Sequence, residues 1–450
     1  MTAQKNKLKN ILGVAFGIAV TVGGVIGSGI LYNTGTIAGL LNNQWLILLC
    51  WLAGGLYVLL ATRADAELGT MIPRAGGPYN YAEKAFGRYA GFITGWFDFL
   101  INSLAPAYVS IAIAEYITKL FPSLAGYETA VAIFIIFALT LYHIGGVKNG
   151  DLFQKISSIL KLFLFGFLII ACFWYAKDHG IFFINATENS APQKDGIIIG
   201  VFKSLQLIIG TYGGWNAACY FAEEFKNPGK QLPRALFISA LIVIAVYLLF
   251  NLALLCVVPP NAMAGSSLVA ADAANIIFGK TGSVIFTILA IVSLSSILNA
   301  MIMVPSRILF GLSRSGYFIG KIASVNKGGS PWAAFIVIGL LELIYILSGS
   351  FAELFSLGAF TTLIVNAFAY AAVPMLRKTQ PTLPRPYRQW GYPYSSVLIL
   401  IVIVALFVAF AFADIKSLVI LLVITLISFP VFKLIQKNQS PNDHPGPTGN

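Results

Sequence analysis

Long apolar runs alternate with short polar segments along the whole chain. Nearly every run holds about 20 residues or more, the length that a helix needs to cross the hydrocarbon of a bilayer. Counting these runs predicts twelve membrane spans, of which the ninth is short. The predicted spans are 11–40, 45–68, 89–117, 128–146, 153–176, 196–221, 232–258, 283–312, 332–347, 353–376, 395–413 and 415–435.

The number of lysine and arginine residues alternates between high and low from each segment between the spans to the next. Twenty of them fall in one set of segments, which includes both ends of the chain, and only five fall in the other set. Because cytoplasmic loops retain positive residues, this pattern predicts cytoplasmic N- and C-termini in a multi-pass protein of the plasma (inner) membrane. An alternation without error through twelve spans also supports the number of spans.

The composition excludes a soluble or a disordered protein. Hydrophobic residues make up 58% of the 450 residues, charged residues make up 10%, and the mean hydropathy is +0.82. A soluble domain has about 25% charged residues, and a disordered chain has far less apolar side chain. The net charge of +12 follows the loop asymmetry, so we expect no nucleic acid partner. The sequence predicts an all-α polytopic protein whose surface faces the lipid bilayer.

The spans and the segments between them divide the chain into five parts. These are an N-terminal cytoplasmic segment (1–10), a first group of five helices (11–176), a second group of five helices (196–376), two further helices (395–435) and a polar tail (436–450). The tail contains several prolines and few apolar residues, so we predict that it is disordered. The first apolar run is too long for the core of a cleavable signal peptide.

Two of the predicted spans contain clusters of glycine near their middle. The first span holds four glycines within residues 23–29, and the sixth holds three within residues 210–216. A glycine in a helix interior costs about 1 kcal/mol relative to alanine, and a span must satisfy its backbone without water. We therefore predict that helices 1 and 6 are broken near the middle of the membrane. Close packing of small residues is the alternative explanation for either cluster alone.

The spacing of the two clusters relates the two halves of the chain. Four whole spans separate them, which fits two five-helix repeats of opposite orientation that each begin with a broken helix. Such paired breaks mark the binding site of transporters. A half-helix that begins at residues 27–29 would attract a carboxylate, and freed carbonyl groups at Val25, Gly210 and Gly213 would accept from an ammonium group. The breaks therefore predict a zwitterionic solute.

Four motifs occur in a characteristic order. They are Gly27-Ser28-Gly29-Ile30, Pro73-Arg74-Ala75-Gly76-Gly77-Pro78-Tyr79, Tyr212-Gly213-Gly214-Trp215-Asn216 and Pro384-Arg385-Pro386-Tyr387. Through them the chain resembles the amino acid–polyamine–organocation superfamily of transporters, and within it the L-type amino acid transporter branch and its bacterial relatives. The resemblance implies a five-plus-five inverted repeat (LeuT-like) with two extra C-terminal helices, alternating access and an amino acid substrate.

The resemblance also implies which residues bind the substrate. They are Val25, Gly27, Ser28, Gly29, Gly210, Tyr212, Gly213 and Asn216. The N–H groups of Ser28 and Gly29 would hold the carboxylate, and carbonyl groups at the two breaks would hold the α-amino group. One position departs from the family, which usually carries a bulky aromatic gate two residues before Tyr212, where this chain has Gly210. Two consequences remain open: the cavity accepts a larger side chain, or an aromatic residue from elsewhere, such as Trp215 or Tyr212, covers it.

Lys161 lies in the middle of the predicted fifth span, where a lysine is energetically expensive. One explanation is that its side chain extends toward the cytoplasmic interface. The resemblance implies another: its ammonium group occupies the place where sodium-coupled relatives bind their ion, and it braces helix 1 against helix 5. Transport would then need no sodium. A fixed structural cation and a group that couples transport to protons both remain open.

Other functional classes have little support. Only one of the three histidines, His143, lies in a predicted span, and the chain has no His-Glu-x-x-His or Gly-x-Ser-x-Gly motif. We therefore expect neither an enzyme nor a metal or cofactor site. We expect no acidic residue beside either break, which favours neutral L-amino acids as substrates. Sodium-independent exchange or uptake is the preferred interpretation; a proton-coupled symporter of broader specificity and a sensor that does not transport remain open.

The four cysteines all fall in apolar runs, so no disulfide framework is expected. Some members of the L-type branch pair with a single-span glycoprotein through a cysteine in the loop after span three. The corresponding segment here, residues 119–126, has no cysteine. We therefore expect no disulfide-linked heavy subunit, and a protein that is a monomer or a weak homodimer.

Overall fold

The computed structural model describes residues 12–74, 76–145, 150–180, 196–324 and 332–437. Within these ranges the fold is all-helical, apart from one isolated β-bridge between Leu12 and Phe225. The α-helices are α1 (Val14–Val25), α2 (Ser28–Leu41), α3 (Gln44–Met71), α4 (Pro78–Phe86), α5 (Arg88–Leu120), α6 (Glu128–Gly145), α7 (Gly150–Asp178), α8 (Ile197–Thr211), α9 (Pro228–Leu255), α10 (Pro260–Met263), α11 (Val269–Arg314), α12 (Trp332–Ser348), α13 (Phe351–Thr379), α14 (Tyr394–Ala413) and α15 (Ile415–Lys437).

Seven of these helices are long and apolar enough to cross a membrane, and the bent pair of α1 and α2 makes an eighth span. The seven are α3, α5, α9, α11, α13, α14 and α15. Three further apolar helices, α6, α8 and α12, are shorter. The structure therefore shows a polytopic membrane protein, while the count of twelve spans and the inverted repeat remain predictions. Of the predicted tail, residues 436 and 437 end α15, and the remainder lies outside the described residues.

The outward-facing side chains of the long helices are apolar, as expected for a surface in contact with lipid. Trp174, Phe412 and Leu426 are each about three-quarters exposed, at 75%, 78% and 74%. A soluble protein rarely leaves contiguous apolar surface of this kind uncovered. The polar side chains point inward instead, and the largest fully buried ones include Tyr212, Tyr247 and Lys161.

Both predicted interruptions are present. Helix 1 breaks at Ile26 and Gly27, where α1 ends and α2 begins, and the two halves are bent by 41°. Helix 6 breaks after Thr211, because the chain leaves α8 through turns at residues 212–216 and continues as a 3-10 segment, Ala217–Glu224. Gly210 lies within the last turn of α8 and therefore just before the break, not inside it.

The N-terminal half of helix 1 and the C-terminal half of helix 6 are joined through the backbone. The N–H of Leu12 donates to the carbonyl of Glu224 (2.9 Å), and the N–H of Lys226 donates to the carbonyl of Leu12 (3.0 Å). Phe16 of α1 packs edge-on against Phe221 of the 3-10 segment, with ring centroids 5.4 Å apart. These contacts hold α1 and the 3-10 segment together on the side of the breaks nearest the N-terminus.

Candidate functional site

The two breaks lie side by side in the core, and Tyr247 of α9 joins them. Its hydroxyl shares its one hydrogen between the carbonyl of Val25 at the end of α1 (2.7 Å) and the carbonyl of Thr211 at the end of α8 (3.1 Å). A Cβ atom added at Gly214 would lie 3.5 Å from Cγ2 of Val25, which brings the unwound part of helix 6 to the break in helix 1. Val25 and the predicted site residues that flank Thr211 are therefore neighbours.

The first turn of α2 faces this junction. Gly27 is its N-cap residue, and because glycine has no side chain, no side-chain cap covers the first turn. Ser28 and Gly29 are both buried. The N-terminal end of a helix carries free N–H groups and a partial positive charge, so this end of α2 suits a carboxylate.

Gly29 lets α2 and α8 approach closely. A Cβ atom added there would lie 2.7 Å from Oγ1 and 2.9 Å from Cα of Thr211, so no larger residue fits without a shift of the backbone. Beside this contact, Nδ2 of Asn33 donates to Oγ1 of Thr211 at 3.1 Å. The half-helices α2 and α8 are thereby held together on the far side of the breaks from the N-terminus.

Two of the three carbonyl groups expected to meet an ammonium group already accept internal hydrogen bonds. The carbonyl of Val25 accepts from Tyr247, and the carbonyl of Gly210 accepts from the N–H of Gly213 at 3.0 Å. A carbonyl oxygen has two lone pairs, so the carbonyl of Val25 retains capacity for a second donor. The carbonyl of Gly210 also accepts from the N–H of Tyr212.

Tyr212 and Asn216 differ in how they meet the junction. The ring of Tyr212 is fully buried against Trp51 of α3 and Tyr247 of α9, and its hydroxyl donates to the carbonyl of Trp51 at 3.3 Å. Its side chain therefore belongs to the packing around the breaks. Asn216 is half-buried and forms the N-cap of the 3-10 segment, where its carbonyl accepts from the N–H of Cys219 at 2.8 Å.

Neither Tyr212 nor Trp215 occupies the space beside Gly210. The nearest atom to a Cβ added at Gly210 would be Cε1 of Phe355 in α13, at 2.6 Å. Trp215 points elsewhere, because its ring packs edge-on against Tyr57 of α3 at a centroid distance of 5.7 Å.

Lys161 reaches the break in helix 1 from α7. Its side chain is buried, and Nζ donates to the carbonyl of Gly23 in the last turn of α1 at 3.0 Å. The ammonium group therefore joins helix 5 to helix 1. It does not extend toward the interface, because only 2% of the residue is exposed.

Asp65 is a buried carboxylate that contacts the unwound segment of helix 6 and that the sequence analysis did not identify. Oδ2 of Asp65 in α3 accepts from Nε1 of Trp215 (2.9 Å) and from the hydroxyl of Tyr370 in α13 (3.0 Å). The expectation that no acidic residue stands near either break was wrong. The sequence feature that could have indicated it is the group of charged residues within 63–67, at the end of an otherwise apolar predicted span.

A second carboxylate, Glu67, anchors the segment after α13. Its oxygens accept from Nε (2.8 Å) and Nη2 (2.6 Å) of Arg377 and from the backbone N–H of Gln389 (2.6 Å). Arg385, from the fourth sequence motif, donates to the carbonyls of Leu376 and Gln380 at the end of α13. That motif therefore caps a helix and attaches the segment to α3.

The family comparison agrees with this architecture. The amino acid permease family matches residues 14–429, which is most of the chain. The chain belongs to that family. As an amino acid permease it is a membrane transport protein, not an enzyme, and the resemblance to the amino acid–polyamine–organocation superfamily is confirmed.

Three known transporters are similar in sequence to this permease. It is 29% identical over 407 residues to the serine/threonine exchanger SteT of Bacillus subtilis (strain 168), covering 88% of this chain and 90% of the relative. It is 25% identical over 416 residues to the b(0,+)-type amino acid transporter 1 of Mus musculus, covering 91% and 83%. It is 27% identical over 391 residues to the large neutral amino acids transporter small subunit 2 of Homo sapiens, covering 85% and 72%. The L-type branch and its bacterial relatives are therefore confirmed as its relations.

The four cysteines of the permease are free and buried. They are Cys50, Cys172, Cys219 and Cys256. The segment that joins α5 to α6 contains none of them.

Proposed function

We propose that this permease is a secondary transporter that moves neutral L-amino acids across the plasma membrane by alternating access, without sodium, and preferentially by exchange. The observation that carries the proposal is the junction of the two breaks, where the uncapped end of α2 meets carbonyl groups from α1 and α8. An amino acid carries its carboxylate and its ammonium group on one carbon. The two kinds of backbone group complement both charges.

Within this proposal, the eight residues named above divide the work. The N–H groups of Ser28 and Gly29 bind the carboxylate, and Gly27, the N-cap residue of α2, leaves this helix end without a side-chain cap. The carbonyls of Val25, Gly210 and Gly213 accept from the α-amino group. Asn216 contributes from the unwound part of helix 6, while Tyr212 supports the site by packing.

Independence from sodium is supported by Lys161. Its ammonium group lies in a buried position beside the break in helix 1, bonded to the carbonyl of Gly23. A fixed positive charge there disfavours a metal cation in the same place, because like charges repel strongly in a low dielectric.

Preference for substrates with neutral side chains is supported by the hydrogen bonds of Asp65. This carboxylate contacts the unwound segment at Trp215, and its Oδ2 atom already accepts two hydrogen bonds, from Trp215 and Tyr370. The printed names of two relatives, a serine/threonine exchanger and a large neutral amino acids transporter, point the same way. The name of the former also favours exchange.

The orientation belongs to the proposal as well. The excess of lysine and arginine in alternate segments supports a cytoplasmic location for both ends of the chain. We propose a monomer or a weak homodimer without a disulfide-linked heavy subunit, since the cysteines are buried within the helical core.

The test is uptake by the purified protein in proteoliposomes. Vesicles loaded with an unlabelled neutral amino acid should take up the labelled one, and replacement of sodium by choline should leave the rate unchanged. Empty vesicles should take up little label at equal internal and external pH. Each of the twenty amino acids is then offered as competitor.

Four outcomes would contradict the proposal. A requirement for sodium would refute the role of Lys161, and a preference for arginine or polyamines would refute the neutral substrate. Accumulation in empty vesicles driven by a pH gradient would replace exchange by proton symport. Thermal stabilisation by amino acids without any uptake would identify a sensor.

A further inference from the structure

We propose that Phe355, a side chain of α13, closes the substrate site on the outer side, in the space that opens because residue 210 is a glycine. The outer side is here the side of the breaks to which α2 leads. The inference rests on the proposed function, because it names the residue that occludes the substrate of that same site.

The first step is the contact between Phe355 and Gly210. A Cβ atom at Gly210 would lie 2.6 Å from Cε1 of Phe355 and 3.1 Å from Cβ of Ala359. A side chain at position 210 therefore fits only if the ring at position 355 moves. Because Gly210 is one residue from the end of α8, the ring lies at the edge of the break in helix 6.

The second step is the group of rings around Phe355. Tyr32, Tyr108, Phe351 and Phe355 form what we call the ring cluster. Tyr32 stacks on Phe351 with centroids 3.8 Å apart, Phe351 stacks on Phe355 at 5.4 Å, and Tyr108 packs edge-on against Phe355 at 5.1 Å. Each aromatic side chain buries a large apolar area, so four of them in contact exclude water effectively.

The third step is the set of helices that the ring cluster connects. Tyr32 lies about one turn beyond the start of α2, Tyr108 belongs to α5, and Phe351 and Phe355 belong to α13. Through Gly210 the cluster also contacts α8. It therefore touches the outer halves of both broken helices, close to the point where each half meets the junction.

The two other candidate aromatic residues are held away from this position. The ring of Tyr212 packs against Trp51 and Tyr247, and the indole of Trp215 is bonded to Asp65. Phe355 is 3% exposed and contacts Gly210 directly, so it fills the position that neither of them reaches.

The experiment exchanges the ring between the two helices. The variants are Phe355→Ala, Gly210→Phe, and the double variant that carries both substitutions. Each is reconstituted, and KM and turnover are measured for exchange of labelled serine and labelled phenylalanine, a small and a large neutral substrate. Phe360→Ala is the matched control, because Phe360 is a buried ring of the same helix that packs against Phe407 and Phe410 of α14.

Phe355→Ala should raise KM for serine about tenfold and should shift the ratio of the two KM values toward phenylalanine, because the cavity gains volume and loses its seal. Gly210→Phe should abolish exchange, because its ring collides with Phe355. The double variant should recover KM for serine to within about threefold of the wild type, since the two positions are strongly coupled. Phe360→Ala should leave both KM values unchanged.

Phe355→Leu covers the possibility that the alanine variant does not fold, because leucine keeps most of the apolar volume without a ring. Like Phe355→Ala, it should raise KM for serine. The inference is wrong if the leucine or the alanine variant, monodisperse in size-exclusion chromatography, has wild-type KM values for both substrates. It is also wrong if the folded double variant is as inactive as Gly210→Phe. Wild-type protein that exchanges no amino acid refutes the proposed function instead.

Discussion

The ammonium group of Lys161 donates a hydrogen bond of 3.0 Å to the carbonyl oxygen of Gly23, and so connects α7 to the last turn of α1. That turn is the one that ends at the break in helix 1. The position of the break is therefore fixed in part by a charge that comes from another helix. A bond to a charged donor contributes more than a neutral one.

Lys161→Met keeps the length of the side chain and removes its charge and its donor. We expect exchange to fall by about tenfold to a hundredfold, the loss that corresponds to one charged hydrogen bond. Lys177→Met, at the exposed end of the same helix, should have wild-type activity. Full activity of Lys161→Met would contradict the role of the bond. Faster exchange by the wild type when sodium is added would contradict it too.

Gly29 and Gly24 provide a matched pair of glycines on either side of the break in helix 1. Gly29→Ala should abolish exchange, because the added methyl group meets the backbone of Thr211 at 2.9 Å and separates α2 from α8. Gly24→Ala should be tolerated, since a Cβ atom there has no neighbour within 4 Å. Uptake assays on both variants, with size-exclusion chromatography to check folding, decide the prediction. Equal activity of the two variants would contradict it.

Asp65 holds the unwound part of helix 6 through the indole of Trp215. Asp65→Ala should reduce exchange strongly, because two buried donors, Trp215 Nε1–H and the hydroxyl of Tyr370, lose their acceptor. Asp65→Asn keeps an acceptor oxygen and should retain most of the activity if the role is positioning alone. An inactive asparagine variant that still binds substrate would show that the charge itself takes part in transport.

Glu67 is expected to contribute strongly to the stability of the fold. It is almost fully buried and pairs with Arg377, and removal of one partner from a buried ion pair costs about 3–5 kcal/mol. Glu67→Ala should therefore lower the thermal midpoint in detergent markedly. Lys416→Ala, which removes the exposed ion pair with Glu353, should leave the midpoint unchanged. Similar midpoints for the two variants would contradict the assignment of the anchor.

The breaks could be predicted from the sequence because their cause is local. Clusters of glycine disfavour a helix wherever they occur, so residues 23–29 and 210–216 marked both interruptions. The apolar runs marked the helices for the same reason. The prediction for Gly210 was less accurate, because the last turn of α8 continues through it to Thr211.

The partners of the site could not be predicted, because they come from distant parts of the chain. Asp65 meets Trp215 across 150 residues and Tyr370 across 305. Phe355 is one of 34 phenylalanines, and no local pattern distinguishes it. Only the packing of α13 against α8 brings its ring to Gly210.

The backbone pairing of Leu12 with Glu224 and Lys226 has a mechanical consequence. Because the bonds use peptide groups, replacement of any of these side chains leaves them intact, and only a residue without an N–H, such as proline at position 226, removes a donor. The N-terminal stretch of helix 1 and the C-terminal stretch of helix 6 are therefore coupled through their backbones as well as through the Phe16–Phe221 contact. We expect a tilt of either stretch to be transmitted to the other even when that ring contact is removed.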